Sequence, residues 1–572
     1  MCLRKTLSQV FSFPNDRRAM TRSLGILFLL SLAWGIFLVQ GFPVGDLDDW
    51  DKVILSKELP WSTFASSWVT PWSKSENWTG QAGRMDEVQY KRILNPVMLK
   101  GIQQVSGFHP FAFYFICKCL FFALTVALVF WVLAQGLPIG VAWIGALAYL
   151  FIPVHYSHVL WLSVSETYTY FLVLAGFYVF NSIVRNLNER GSFREYMGLL
   201  AGLFVIGWIS IKAKELSLIL PVGIVFYSFF KWKAWKGLWP RVAVLFAFMA
   251  LIAFQVVPVT NLDRPAEPRR GFGFETLGRL LFRNYQCGYD DERLPAFFSW
   301  DHVFPVSLAR NIGFFLLWAI LFALLFLGIR RWVLKKRSAL PFFQDTLVQI
   351  SLTWFLVYLP FLGMFQPDPR YLSGLMPPLI LLLARLLYSA GLNMNRKGLW
   401  VYGFCVMIGV GFFFYENVQH VISLRLQIGQ KFSRFMGASR AIFEDVFPGR
   451  SPTDFEVGGF YCRICSLERV QPTIDDYLYY FDYDYAPWNR VAYGMDNVPS
   501  FKEFARQGYR YYVTHTERDH AHDPEISLVA RLEGINSGSL FEKIIYSLKD
   551  KKPAPLYVYK YIGLPIPDGK PS

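Results

Sequence analysis

Length, composition and charge exclude a soluble protein. The chain has 572 residues, of which 54% are hydrophobic and only 17% are charged, whereas soluble domains average about 25% charged residues. The formal net charge of +15 does not indicate nucleic-acid binding, because the lysines and arginines separate long apolar stretches instead of forming one face or tail. Several of these stretches reach about 20 residues, the length that crosses a hydrocarbon core of roughly 30 Å. The composition therefore predicts a polytopic integral membrane protein.

The apolar stretches, taken in chain order, predict about eleven transmembrane helices. They span residues 23–42, 110–134, 139–157, 162–183, 196–211, 216–230, 241–259, 310–329, 346–364, 371–390 and 399–416. The first 22 residues are basic, and the apolar run after them lacks a small-residue cleavage site. We therefore expect a cytoplasmic N-terminus and an uncleaved first helix.

Basic residues follow the orientation that this count requires. The predicted inner connections hold Arg185, Arg190, Arg194, Lys231, Lys233, Lys236, Arg241, Arg330, Arg331, Lys335, Lys336, Arg337, Arg396 and Lys397. The short outer loops hold few beyond Lys212, Lys214 and Arg370. This asymmetry favours an odd number of helices, because one missed helix would reverse every later loop. We expect residues 1–22 to be cytoplasmic and 23–416 to form the transmembrane domain, with outer loops at 43–109 and 260–309.

The region from 417 to 572 lacks long apolar runs. Short strands are predicted at Phe455–Cys462, Tyr509–His515 and Leu556–Tyr561, and a short helix at Ser500–Gln507. We expect a small extracytoplasmic α/β domain there. The predicted fold class is thus a mainly α, polytopic membrane protein with a small C-terminal α/β domain.

An acidic string follows the first predicted helix. Asp46, Asp48, Asp49 and Asp51 stand within Gly45–Asp51, and carboxylates cannot lie in hydrocarbon, so we expect them at the outer membrane surface. A carboxylate there can act as a general base on an acceptor hydroxyl or hold a divalent cation, magnesium or manganese, against a phosphate. The alternative is a solvated acidic loop.

A second charged group lies further along the first outer loop. Asp86 and Glu87 are followed by Tyr90, Lys91 and Arg92. Basic groups beside acids suit a phosphate-bearing substrate, since guanidinium binds phosphate oxygens in a bidentate fork. The alternative is an amphipathic surface helix with charge pairs.

Other polar residues fall at the predicted outer ends of helices. His155 and His158 stand between the third and fourth helices, where we expect them to form hydrogen bonds rather than a metal pair. Glu166 lies in an otherwise apolar helix, and such ionisable groups usually face a cavity or a partner.

Positive charge also appears where the topology disfavours it. The turn holding Lys212, Lys214 and Glu215 needs a negative partner, either an anionic ligand or a carboxylate of the first loop. Arg370 and Tyr371 open the tenth helix, where a lipid phosphate would lie. Simple interfacial anchoring is the alternative for Arg370.

The order of these pieces resembles the GT-C superfamily, in particular the protein O-mannosyltransferases and related dolichyl-phosphate-mannose-dependent branches. The motifs are the acids after helix one, Tyr90-Lys-Arg92, Gly107-Phe-His-Pro110, Tyr149-Leu-Phe-Ile-Pro-Val-His155, Val159-Leu-Trp161, Ile211-Lys-Ala-Lys-Glu215 and Arg370-Tyr-Leu-Ser-Gly-Leu-Met-Pro377. They cover about residues 23–390. The first loop departs from the pattern, because it reads Tyr-Lys-Arg-Ile where many relatives have Tyr-Arg-Pro.

The resemblance implies a set of roles. The acid after helix one is the family's catalytic base or metal-associated carboxylate, which implies Asp48 or Asp49, with Asp86 and Glu87 as second-rank acids. The family's basic positions near the lipid phosphate imply Lys214 and Arg370, with Arg92 less securely matched. We group Arg92, His155, Glu166, Lys212, Lys214, Glu215, Arg370 and Tyr371 as the predicted substrate-binding residues.

The resulting hypothesis is inverting sugar transfer from a polyprenyl-phosphate carrier to a hydroxyl of a glycan, lipid or protein. We expect it at the outer face of a bacterial-type plasma membrane. The sequence has no Rossmann-like glycine motif, so no nucleotide-sugar site is predicted. Two alternatives are a flippase or transporter for a lipid-linked glycan and a catalytically silent scaffold of the same fold.

Overall fold

The structure is a computed structural model. It describes residues 17–42, 53, 56–57, 59–70, 92–107, 109–162, 164–255, 345–364, 373–392, 396–450, 490–493, 509–514, 525–532, 540, 543–544, 547 and 555–562. The predicted helix 310–329, the outer loop 260–309, the strand Phe455–Cys462 and the helix Ser500–Gln507 lie outside these residues.

Helices dominate the described part of the chain. They are α1 (Arg17–Val39), α2 (Trp61–Val69), α3 (Leu94–Ser106), α4 (Pro110–Ala134), α5 (Ile139–Leu150), α6 (Glu166–Asn188), α7 (Phe193–Ala213), α8 (Ile219–Lys231), α9 (Trp239–Phe254), α10 (Thr346–Met364), α11 (Met376–Leu392) and α12 (Arg396–Val446). Among the described residues, five helical stretches are long and apolar enough to cross a membrane, namely 18–39, 110–134, 166–188, 193–213 and 236–254. The predicted helical, polytopic membrane protein is confirmed at this level.

Helix α4 shows how sequence shapes one of these segments. Pro110 occupies its first turn, where the missing N–H has no partner to lose. The stretch Phe115–Leu120 is π-helical, and α-helix resumes at Phe121. Such π-helical stretches are rare and occur frequently at functional sites. The one charged residue of this stretch, Lys118, is fully buried.

Some predicted helix ends differ from those observed. The helix predicted at 139–157 is interrupted after Leu150, because Pro153 disfavours helical backbone at the residue before it. Short helical turns follow at Pro153–His155 and Tyr156–Val159. The segment predicted at 399–416 lies inside α12, which continues to Val446. Apolar character ends near 416, but hydrogen-bonded helix does not need apolar residues to continue.

Contacts between helix ends show that the chain crosses the bundle back and forth. At one end, the Ser373 hydroxyl donates to the Val154 carbonyl at 3.2 Å, and Arg425 Nε donates to the Leu38 carbonyl at 2.5 Å. We call this the outer end, following the predicted topology. At the opposite end, Arg385 of α11 pairs with Asp345 at 2.6 Å.

The C-terminal region contains a four-stranded mixed sheet. Its strands are β1 (Arg490–Tyr493), β2 (Tyr509–Thr514), β3 (Ile526–Leu532) and β4 (Leu556–Tyr561), in the spatial order β1-β2-β4-β3. The first pair is parallel and the other two are antiparallel. Asp445 near the end of α12 forms an ion pair with Lys560 of β4 at 2.6 Å, and this contact joins the sheet to the helix.

Candidate functional site

A buried ion pair lies at the outer end of the bundle. Lys214 contacts Glu166, and their side chains are 6% and 0% exposed. Glu166 is the first residue of α6, where a negative charge is favoured by the helix dipole. Helix α7 ends at Ala213, and Lys214 adopts extended backbone. The carboxylate that compensates Lys214 therefore comes from α6, whereas the sequence had offered an acid of the first outer loop.

A second ion pair covers the same turn. Arg92 Nε donates to Glu215 Oε2 at 2.8 Å, and the second guanidinium branch contacts the other carboxylate oxygen. The Arg92 side chain is 48% exposed. Its φ of 46° is a conformation that non-glycine residues seldom adopt. This loop residue and the 214–215 turn are thus held together, with the buried pair beneath the exposed one.

Lys212 points to a different part of the first loop. Its ammonium donates to the Thr70 carbonyl at 2.7 Å and to the Ser67 carbonyl at 3.3 Å, both at the C-terminal end of α2. A cation there satisfies carbonyls that have no partner within the helix and opposes the negative end of the helix dipole. The structure thus places Lys212, which is 1% exposed, as a cap on α2. Its binding of substrate stays a prediction.

Lys118 approaches the buried pair from the other side. It donates to the carbonyl of Val164, two residues before Glu166, and lies over the ring of Tyr168, two residues after it, with 5.8 Å to the ring centroid. In the sequence, Lys118 is a charged residue inside the apolar segment 110–134. That anomalous charge was the available signal.

The connection between α5 and α6 supplies two buried histidines. Thr167 donates to the His158 carbonyl at 3.2 Å, while the Nδ1 atom of His158 lies 3.0 Å from the Thr167 hydroxyl oxygen. Since that hydroxyl has one proton, Nδ1 of His158 is the donor in the second contact. Hydrogen bonding of His158 agrees with the prediction.

His155 differs from its neighbour. Neither ring nitrogen has a hydrogen-bond partner among the described residues, so the hydrogen bonding predicted for His155 is not seen there. Its ring packs on Tyr149 with 4.1 Å between centroids. Burial, with a contribution from His158, lowers the pKa of His155 well below its ordinary value, so the ring is neutral. A neutral, fully buried imidazole suits packing or polar contact better than charge pairing.

The start of α11 meets this connection. Besides the Ser373 contact with Val154, the hydroxyl oxygens of Tyr170 and Tyr358 lie 3.5 Å apart. A Cβ atom at Gly374 would clash with Tyr358 and lie 2.9 Å from the Tyr170 ring, so only glycine permits this approach. The Ser373 contact therefore brings the residues that follow Arg370 and Tyr371 in the sequence to the connection that holds His155 and His158.

The predicted site residues divide into two sets. Around one outer turn the structure gathers Arg92, Glu166, Lys212, Lys214 and Glu215, with His155 in the adjoining connection. The residues Asp48, Asp49, Asp86, Glu87, Arg370 and Tyr371 lie outside the described part of the chain, so their roles stay predictions.

The described residues do not provide a metal site. No group of three or more histidine, cysteine, aspartate or glutamate side chains among them is placed to hold an ion. The two carboxylates at the outer turn, Glu166 and Glu215, are already paired with cations. The described residues therefore give a divalent cation no donor set, and the predicted magnesium or manganese role of Asp48 and Asp49 stays a prediction.

The fold and these buried charges define an integral, mainly helical membrane protein. No family model matches the sequence, and no curated protein matches it. The chain is similar to ArnT from Cupriavidus metallidurans bound to undecaprenyl phosphate, with a TM-score of 0.42 and 14% identity over 93% of this chain and 97% of the other. The apo state of that ArnT gives 0.41 and 13%, covering 94% and 98%.

A third similar structure is the oligosaccharyltransferase of Archaeoglobus fulgidus in its apo form. The TM-score is 0.45 and the identity 12%, covering 78% of this chain and 60% of the other. All three TM-scores are below 0.5, so function has to be inferred from the residues of this chain.

Proposed function

We propose that this protein transfers a sugar from a polyprenyl-phosphate carrier to an acceptor hydroxyl at the outer membrane face. The observation that carries the proposal is the buried Lys214–Glu166 pair within a positively charged turn. Ionisable residues buried in membrane proteins are rare and usually mark substrate paths or binding sites. The motif resemblance to the GT-C superfamily supplies the reaction class.

The charges of the outer turn favour an anionic ligand. Among the described residues, four cations lie at or beside this turn, namely Lys118, Lys212, Lys214 and Arg92, together with the carboxylates of Glu166 and Glu215. Three of the cations are at most 5% exposed. A group of cations in a low-dielectric setting attracts an anion more strongly than it would in water. A lipid phosphate is such an anion, and its polyprenyl tail suits the surrounding apolar helices.

The proposed mechanism assigns one role to each group. Lys214, with Arg370, stabilises the negative charge that develops on the lipid phosphate as the glycosidic bond breaks. Asp48 or Asp49 takes the proton of the acceptor hydroxyl while its oxygen attacks the anomeric carbon with inversion. The Lys214 ammonium binds the phosphate while it keeps its contact with Glu166.

The direct test is transfer of radiolabelled sugar from polyprenyl-phosphate sugars to a cell-envelope extract by purified protein. The Asp48→Asn/Asp49→Asn double variant should abolish transfer and remain folded. Glu444→Gln is a suitable control, because this acid is 57% exposed and pairs with Arg440 one helical turn away. Label transferred by wild type and by the control, but not by the double variant, is the expected result.

Two other results would redirect the assignment. Undiminished transfer by the double variant would exclude these acids as the base. Folded wild-type protein that transfers label from no donor would favour a lipid-linked glycan transporter or a silent scaffold, and a lipid-flipping assay then separates those two.

A further inference from the structure

The N-terminal turn of α6 is held by two lysines that come from different parts of the chain. Lys214, just after α7, binds the Glu166 side chain, and Lys118 of α4 binds the backbone carbonyl of Val164. Val164 and Glu166 are two residues apart, with neither in the interior of a helix. The contact with Lys118 therefore fixes the backbone from which the Glu166 carboxylate projects.

The surroundings of Lys118 make that contact rigid. Its side chain is fully buried, as is the Tyr168 side chain whose ring faces the ammonium. A cation over an aromatic face and on a carbonyl is held in both direction and distance. The π-helical stretch Phe115–Leu120 changes the helical phase locally at Lys118.

We propose that Lys118 is a positioning residue for the donor-phosphate site, acting through Val164 and Glu166 on Lys214. This inference rests on the proposed function, because it takes Lys214 as the group that meets the phosphate. Lys118 fixes the α6 turn, the turn fixes Glu166, and Glu166 holds the Lys214 ammonium in place before the donor arrives. Preorganised charge of this kind costs no rearrangement on binding.

Lys100 offers a matched control for the loss of a buried lysine. It is 8% exposed, donates to the carbonyls of Ser56 and Lys57 at 3.2 and 3.0 Å, and lies over aromatic rings as Lys118 does. These partners lie in the first outer loop and in α2, apart from the turn that holds Glu166 and Lys214. Lys100→Met thus removes a buried ammonium and its bonds to backbone carbonyls, as Lys118→Met does, but at a different place in the protein.

The experiment measures binding of tritiated undecaprenyl phosphate to purified full-length protein in detergent, together with KM and kcat for sugar transfer. We expect Lys118→Met to weaken lipid binding and raise the donor KM by about tenfold, with a smaller change in kcat. In a Lys214→Met background the same change should alter binding by less than about twofold, because interacting residues are not additive. Lys100→Met should change donor binding by less than about twofold in either background.

Tyr168 keeps the inference testable if Lys118→Met does not fold. Tyr168→Leu removes the ring beneath the ammonium and should raise the donor KM in the same direction. Tyr168→Phe keeps the ring and should not, since the Tyr168 hydroxyl has no hydrogen-bond partner among the described residues. If the Lys118 and Lys214 substitutions have additive effects on donor binding while wild type is active, the positioning role of Lys118 is overturned and the proposed function is not. Wild type that neither binds the lipid nor transfers sugar would instead overturn the proposed function.

Discussion

Arg425 of α12 caps the end of α1 by binding Leu38, although the two residues are far apart in sequence. Its Nε donates to the Leu38 carbonyl at 2.5 Å, and its guanidinium lies 4.4 Å from the centroid of the Phe42 ring. Arg425 is fully buried. The last carbonyls of a helix lack partners within it and carry partial negative charge, so a cation there is favoured. This contact fixes where the chain leaves α1, shortly before the acidic string that begins at Asp46.

Removing this cap should destabilise the protein. Arg425→Met leaves the buried Leu38 carbonyl without its donor, which costs about 1–3 kcal/mol. Thermal unfolding in detergent should show a lower midpoint. Arg440→Met on the same helix is the control, because the Arg440–Glu444 pair is 68% and 57% exposed and such pairs contribute roughly 0–1 kcal/mol. Equal midpoints for both variants would contradict the capping role.

Much of the helical fold could be predicted from the sequence. Apolar runs identified α4, α6, α7 and α10, because the length needed to cross hydrocarbon is a strong signal. The strands predicted at Tyr509–His515 and Leu556–Tyr561 match β2 and β4 within one residue. Helix ends were less predictable, since hydropathy reports contact with lipid and not the end of hydrogen bonding, as α12 illustrates.

The charged residues of the site were predictable, but their partners were not. Lys214 was recognised because positive charge is disfavoured in a short outer loop. Its partner Glu166 lies 48 positions away, and that pairing depends on how α6 packs against α7. The same limit applies to Lys118. Its partner is a backbone carbonyl, which every residue type carries, so the sequence could not identify it.

The cap that Lys212 places on α2 should control the order of that helix. Lys212→Met removes the donor of the Thr70 and Ser67 carbonyls. We expect limited proteolysis to cut within 59–70 several times faster than in wild type, because an uncapped short helix opens more often. Lys233→Met, an exposed lysine at the opposite end of the bundle, should leave the cutting rate unchanged. An unchanged cleavage rate for Lys212→Met would show that Lys212 does not stabilise α2.

The buried, neutral His155 should make the protein sensitive to acid. Its folded-state pKa lies well below the ordinary value of 6.5, so between these two values the unfolded chain binds a proton that the folded chain does not. Stability is therefore fully present above about pH 6.5 and falls by about 1.4 kcal/mol per pH unit below it. His155→Phe keeps an aromatic ring against Tyr149 and should flatten this dependence.

Thermal midpoints of wild type and His155→Phe at a series of pH values between about 5 and 8 test this expectation. The two curves should run parallel above about pH 6.5 and separate below it, with wild type falling faster. Parallel curves over the whole range would show that His155 does not titrate between the folded and unfolded states.

The Lys214–Glu166 pair should separate stability from activity. Lys214→Met leaves the Glu166 carboxylate buried without its cation, which costs about 3–5 kcal/mol. Adding Glu166→Leu removes the uncompensated charge and should restore most of that loss, because apolar residues can replace a buried ion pair without net destabilisation. The repaired double variant should fold like wild type yet still fail to transfer sugar, since no ammonium remains to meet the phosphate.

The Arg92–Glu215 pair provides the comparison for that double variant. It is partly exposed, with side chains 48% and 21% accessible, so Arg92→Met should cost no more than about 1 kcal/mol. The test compares thermal midpoints and initial transfer rates of four proteins: wild type, Lys214→Met, the double variant and Arg92→Met. Recovery of both stability and transfer in the double variant would mean that Lys214 serves only to balance Glu166, and the phosphate would then have to be held elsewhere.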